Sequence, residues 1–345
     1  MKGLLVKFIL LTVALVVALC CIEIFLRISA RFDFKTGHLL QRDKAGPEET
    51  RKKGIPEVCF YNNGWKNVYQ PTITLGYEHV PNVGNINSMG LVGREYGLRK
   101  NKGVSRILLL GDSLAADDRI RVFLEENLND SPFNAKDKFE IWNSGTPGWD
   151  IRKYALFLRH KGLKYQPDLV LVCLCLNDLN LYNTIVYYRT RSGTVGYEFP
   201  VHEITKVYVP NPYLLRKSYL YRYLVFKINN YLIGDDREDT KEEIYSYFEI
   251  IKEDCGKRDI NVLAVIFPWL KPLEAYDQDE LLQYKLMVDS LENLNFSFID
   301  LHKYISDTER NALRNNKKDQ IHLSEEGNRI VARIIYNYLI QSNII

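Results

Sequence analysis

The sequence predicts an α/β protein: a three-layer α/β/α domain around a central, mostly parallel five-stranded sheet, preceded by an N-terminal transmembrane helix. Three observations lead there. Five short runs, at 106–113, 139–145, 168–178, 261–268 and 296–301, are apolar on both faces. Amphipathic stretches at 117–129, 150–163, 241–256, 278–293 and 324–341 lie between and after them. Strands buried on both faces and alternating with helices form a parallel sheet covered on each side. The third observation is the apolar N-terminus, taken first below.

Residues 1–30 read as an uncleaved membrane anchor. Lys2 and Lys7 precede an uninterrupted apolar run from Phe8 to Ile22, and extension through Leu26 gives the roughly 20 residues that cross a bilayer. No small-x-small cleavage site follows, and the pattern continues helically through Glu23 and Arg27. Lipid attachment at Cys20 or Cys21 fits less well, because Leu19 and Cys20 are not the small residues that should precede it. A cleaved signal and a buried core helix are the other readings. Arg27, Arg31 and Lys35 rival the charge before the run, so the flanks do not orient it.

Residues 31–104 read as a linker and irregular lead-in. Positions 36–58 are polar and charged with Gly and Pro, and 60–104 scatter Pro, Gly and Asn among short apolar pieces. The regular pattern occupies 105–345, interrupted by a Tyr-rich insertion at about 180–240. The 46% hydrophobic and 26% charged residues of the 345 mark a globular chain, and a net charge of +3 argues against nucleic acid as a partner. Cys20, Cys21, Cys59, Cys173, Cys175 and Cys255 form no zinc-site spacing, so no metal and no cofactor is expected. A Cys59–Cys255 bridge is neither required nor excluded.

Each strand of a parallel sheet ends on the same rim, where ligands bind. That rim receives Ser113 after the first strand, Gly145 and Gly148 after the second, and Asn177 with Asp178 after the third. Asp150 is placed to cap the next helix. Near the C-terminus Asp319 precedes His322 by three residues, just before a helix capped by Ser324. That spacing lets a carboxylate reach the imidazole Nδ1. Singly, Gly-Asp-Ser is a common turn, and His322 and Asp319 are ordinary surface and turn residues.

Together, "GDSL" at 111–114, "NSGTPG" at 143–148, "CLND" at 175–178 and "DQIH" at 319–322 resemble, in order, the blocks of the SGNH or GDSL family of esterases and lipases. The resemblance covers roughly 106–341, and "NSMGLVGREY" at 87–96 looks like the segment before the serine block in membrane-anchored members. It implies a flavodoxin-like SGNH hydrolase fold. It also implies a catalytic set of Ser113 as nucleophile, His322 as base and Asp319 as orienting carboxylate. The implied oxyanion hole is the N–H groups of Ser113 and Gly145 with the Asn177 amide. One departure stands out: Cys175 replaces the family's glycine, which is tolerated if position 175 points into the sheet face.

The function expected from this resemblance is a membrane-anchored serine acyl-ester hydrolase. It would form an acyl-serine on an O-acyl or O-acetyl ester of a lipid or glycan. Acyl transfer onto an envelope polysaccharide uses the same chemistry, and a non-catalytic binding or assembly protein is the rival from another class. The catalytic domain is expected outside the cytoplasm. Within the insertion, 211–234 interleaves Arg216, Lys217, Arg222 and Lys227 with aromatic and aliphatic residues. It suits a helix packed on the domain, a lid lying on the bilayer, or a glycan groove. Trp269, at the end of the fourth strand, is expected to line the same crevice.

Overall fold

The computed structural model describes residues 2–28, three short strands before residue 73, and 74–344, except 131–137, 180, 182–183, 191–192, 317–318 and most of 200–240. The chain divides into two compact units, Met1–Glu78 with Asn183–Arg237, and His79–Tyr182 with Glu238–Ile345.

In the first unit, α1 (Lys2–Ile28) holds the span Gly3–Phe25, with mean hydropathy 2.9 and none of it buried. The stretch read as a linker contributes β1 (Leu39–Gln41) and β2 (Glu57–Tyr61). These flank a hairpin from the insertion, β8 (Thr184–Thr190) and β9 (Gly193–Phe199), in the order β1-β9-β8-β2. β1 and β2, three and five residues long, carry little pattern of their own, so only pairing with a distant segment reveals them. Tyr69–Thr72 (β3) and Gly76–His79 (β4) form a separate ladder.

The second unit contains the five-stranded sheet. Its strands are β5 (Val104–Leu110), β6 (Lys138–Asn143), β7 (Leu169–Leu174), β10 (Asn261–Ile266) and β11 (Ser297–Asp300). All neighbours are parallel, in the order β11-β10-β7-β5-β6. Leu109 of β5 faces Asn143 of β6 on one side and Leu171 of β7 on the other.

The helices are α2 (Ser113–Ala116), α3 (Arg119–Asn129), α4 (Ile151–His160), α5 (Lys241–Gly256), α6 (Gln278–Asn293), α7 (Asp307–Ala312) and α8 (Glu325–Gln341). Ile107, Leu109, Leu171, Cys173 and Val265 share one core with Ile120 and Leu124 of α3 and Val331 and Ile335 of α8. The alternate residues Leu108, Leu110, Val170 and Val172 are equally buried and point to the other face. There α4 packs on α5. Each such fully buried aliphatic side chain contributes about 1.5–3 kcal/mol. This is the three-layer parallel α/β architecture predicted from the doubly apolar runs.

From β5 the chain moves outward to β6, then crosses back to β7 on the other side. The crevice at the carboxyl ends of β5 and β7 is therefore the topological switch point, where such folds bind ligands.

Candidate active site

Asp112 follows β5 and caps α2, its Oδ1 accepting the Leu114 N–H at 2.9 Å. The cap turns the chain so that Ser113 opens the helix at the switch point. The Ser113 N–H lies in the first turn, where no intrahelical acceptor exists.

Across the crevice, Asp319 and His322 sit on the loop before α8. The Asp319 carboxylate accepts the N–H groups of Ile321 (3.0 Å) and His322 (2.9 Å), which closes the turn. His322 Nδ1 lies 3.0 Å from Asp319 Oδ2, and Nε2 lies 2.9 Å from Ser113 Oγ. Burial alone would raise the Asp319 carboxyl; the two backbone donors and the nearby imidazole outweigh it and hold it below its usual value. The carboxylate is therefore ionised and can only accept, so Nδ1 carries a proton. In the neutral ring Nε2 is then the acceptor that faces Ser113. Ser324 caps α8 through the Gly327 N–H at 3.1 Å, as the sequence suggested.

Asn177 lies in a turn of 3₁₀ helix, Leu176–Leu179, after β7. Its Nδ2 donates to Asp112 Oδ2 at 3.3 Å, the same oxygen that lies 3.2 Å from Ser113 Oγ. One carboxylate thus bridges the serine and the amide and fixes which end of Asn177 is the donor. Asp178 is fully buried, and its carboxyl is pushed well up by that burial and then by the charge of Asp112. Its Oδ2 accepts the Cys175 N–H at 2.8 Å. The Cys175 thiol itself joins the sheet core beside Cys173, and burial raises it far above reactive range. Position 175 points into the sheet face.

Gly145 has a different place from the one the resemblance implied. Its N–H donates to Asn143 Oδ1 at 2.8 Å, and its carbonyl oxygen lies 3.0 Å from His79 Nε2. That amide is already engaged. Glycine is needed here for close approach, since a Cβ would come within 2.6 Å of the Ala115–Ala116 backbone. Gly148, three residues on, has φ +75° and is half-buried, and no acceptor for its N–H stands among the described residues.

Asn143 is the residue that the sequence reading left without a role. Its Nδ2 donates to Ala115 O (2.8 Å) and Asp118 Oδ1 (2.9 Å), strapping the end of β6 to the turn after the serine. Asp118 is held in turn by two bonds from Arg121, at 2.7 and 2.6 Å. Glu125 joins Arg121 to Arg94 and Tyr96 of the lead-in. Only the presence of an Asn at the start of the second block hinted at this. Among the described residues no group of three or more His, Cys, Asp or Glu is placed to hold a metal.

The profile of the GDSL-like Lipase/Acylhydrolase family matches residues 107–335, well over half of the chain. The chain belongs to this family. It is an ester hydrolase on that membership. A search of curated proteins finds no match. Solved structures similar to this GDSL-family chain include a catalytic mutant of an acetylxylan esterase from Geobacillus stearothermophilus. It is 13% identical, covers 68% of this chain and 93% of that one, and has a TM-score of 0.43. A lipase/acylhydrolase from Enterococcus faecalis is 14% identical over 69% and 96%, at 0.42. A GDSL-like lipase from Bacteroides thetaiotaomicron is 11% identical over 69% and 89%, at 0.41.

Proposed function

We propose that this GDSL-family chain is a membrane-anchored serine hydrolase that cleaves O-acyl or O-acetyl esters of a lipid or glycan through an acyl-serine intermediate. The observation that carries the proposal is the continuous chain from Asp319 to His322 to Ser113, at 3.0 and 2.9 Å.

In this reading Ser113 Oγ attacks the acyl carbon while its proton passes to His322 Nε2. Asp319 stabilises the imidazolium that forms. The carbonyl oxygen becomes an oxyanion, received by the Ser113 N–H and the second N–H of the Asn177 amide. Gly148 takes the third donor position in place of Gly145. Collapse breaks the bond to the alcohol, which leaves with the proton from His322. Water then attacks the acyl-serine, gives its proton to His322, and releases the acid and free Ser113. Fluorophosphonate labelling tests the nucleophile: capture at Ser113, abolished in Ser113→Ala, is expected. A folded protein that is not labelled would refute it and favour a binding protein on the same fold.

The anchor reading is supported by α1, long enough to span and wholly exposed. Within its unit, Glu23 accepts from Ser218 Oγ at 2.9 Å and from the Leu220 N–H at 2.8 Å. The insertion thus meets α1 where the apolar run ends, with Leu214, Leu224 and Ile228 exposed. Those contacts favour the reading of 211–234 as a segment at the bilayer surface. Apart from Tyr221, the other residues of that segment, Arg216, Lys217, Arg222 and Lys227 among them, lie outside the described ones. We place the catalytic unit outside the cytoplasm, where ester-bearing lipids and envelope glycans are met. Protease added to intact cells should digest it while sparing a cytoplasmic control. Protection until lysis would reverse the orientation, and release of a shortened soluble protein would show cleavage instead of anchoring.

A further inference from the structure

A second Asp–His pair lies at the carboxyl end of β11. Asp300 Oδ1 is 3.0 Å from His302 Nδ1, and Tyr284 donates to Asp300 Oδ2 at 2.7 Å. On its other side, His302 Nε2 is 3.1 Å from the Tyr276 hydroxyl, which donates to Trp269 O at 3.2 Å. Both His302 and Asp300 side chains are at least 95% buried, so this pair cannot meet a substrate. Trp269 packs on the core against Tyr276.

The protons on this chain can be counted. Burial would raise the Asp300 carboxyl, but the bonds from His302 and Tyr284 outweigh it and keep it below its usual value. It is therefore an acceptor, and Nδ1 must donate. Tyr276 has one proton, and burial holds it on the phenol. Its hydroxyl lies between His302 Nε2 at 3.1 Å and Trp269 O at 3.2 Å, an oxygen that also accepts the Lys271 N–H at 2.7 Å.

Trp269 leads directly to the proposed catalytic loop. The next N–H, of Leu270, donates to Gln320 O at 2.6 Å, between Asp319 and His322. Leu270 O accepts from Arg314 Nε at 2.8 Å. Arg310 ties Lys271 O to His302 O, at 3.2 Å each.

We propose that His302 is a positioning residue for the reaction. Its ring links Asp300 to Tyr276, and through Tyr276 to Trp269, and so seats the 269–271 segment against the loop carrying Asp319 and His322. This rests on the Ser113–His322–Asp319 reading. The charged and titratable groups around it are Asp300 and Lys303 on its own turn, Tyr276 and Lys271 after β10, Tyr284 and Glu280 on α6, and Arg310 on α7. Lys271 is paired with Glu280 at 2.8 Å.

The test is kcat and KM for p-nitrophenyl acetate in the full chain, His302→Gln and Tyr276→Phe, measured beside their thermal unfolding. Both variants should lower kcat about five-fold, the weight of one ordinary hydrogen bond, with KM unchanged and the fold intact. Wild-type kcat in a folded Tyr276→Phe, or a rise in KM at constant kcat, overturns the inference. Should His302→Gln not fold, Tyr276→Phe keeps its ring and decides alone. Fluorophosphonate capture with wild-type kcat in the variants overturns this inference only; absence of capture overturns the nucleophile reading and this inference with it.

Discussion

His322 Nε2 stands 2.9 Å from Ser113 Oγ across 209 positions of sequence. Nothing local holds them together: one opens a helix after the first sheet strand, and the other precedes the last helix. The contact exists because α3 and α8 pack on one face of one sheet.

That contact makes the three proposed catalytic residues unequal under substitution. Ser113→Ala should lower kcat by about 10⁵-fold or more, and Asp319→Asn by about 10³–10⁴-fold, since the imidazole remains though poorly oriented. Steady-state hydrolysis of p-nitrophenyl acetate reads both. Wild-type activity in Asp319→Asn would remove it from the set.

Asn177→Ala removes one oxyanion donor while leaving Ser113 and His322 in place. It should reduce kcat about 10²–10³-fold with little change in KM. A rise in KM at constant kcat would show instead that Asn177 binds the ground state.

The buried Asp178 makes stability depend on pH in a defined direction. Its carboxyl is raised in the folded state, by burial and by Asp112, so its contribution is fully present below the unfolded carboxylate value of about 3.9. It is lost progressively as pH rises toward the folded value, by about 1.4 kcal/mol per pH unit. Asp178→Asn removes that titration and still offers an oxygen to the Cys175 N–H. Thermal unfolding at pH 5 and pH 8 should show the wild type losing more stability than the variant over that interval. Parallel curves would place the titration elsewhere.

Gly145→Ala should destabilise the protein by about 1–3 kcal/mol, because the added methyl meets the Ala115–Ala116 backbone and not a side chain that can rotate away. Activity should fall with it, since α2 carries Ser113. Denaturant unfolding alongside kcat checks the pairing; a neutral effect on both would mean the turn relaxes freely.

Much of this was legible in the residues. The apolar runs located all five strands, although each strand is shorter than its run at one or both ends, because the final residues leave the ladder to form the rim. Asp150 and Ser324 were recognisable caps, and both accept the expected backbone N–H groups. Strands β1, β2, β8 and β9 were not foreseen: β1 and β2 depend on partners far away in the chain, and the β8–β9 hairpin lies within the insertion that was read only by its composition. Gly145 was given a donor role because a glycine in a strand-end turn can serve either close approach or an open amide. Only the position of Asn143 Oδ1 distinguishes the two.

Periodicity and residue type alone determined the α/β class, the apolar N-terminal span and the order of the four blocks, because those depend on neighbours a few residues apart. Which hydroxyl meets which imidazole, which amide is already engaged, and that a second Asp–His pair backs the loop of the first were decided by tertiary structure. The first is a distance of 2.9 Å across 209 positions, and the last runs through the Leu270 N–H to Gln320 O at 2.6 Å. The Gly145 amide is engaged by a residue only two positions away, but Asn143 is turned toward it by its bonds to Ala115 and Asp118, which form only when the helices close on the sheet.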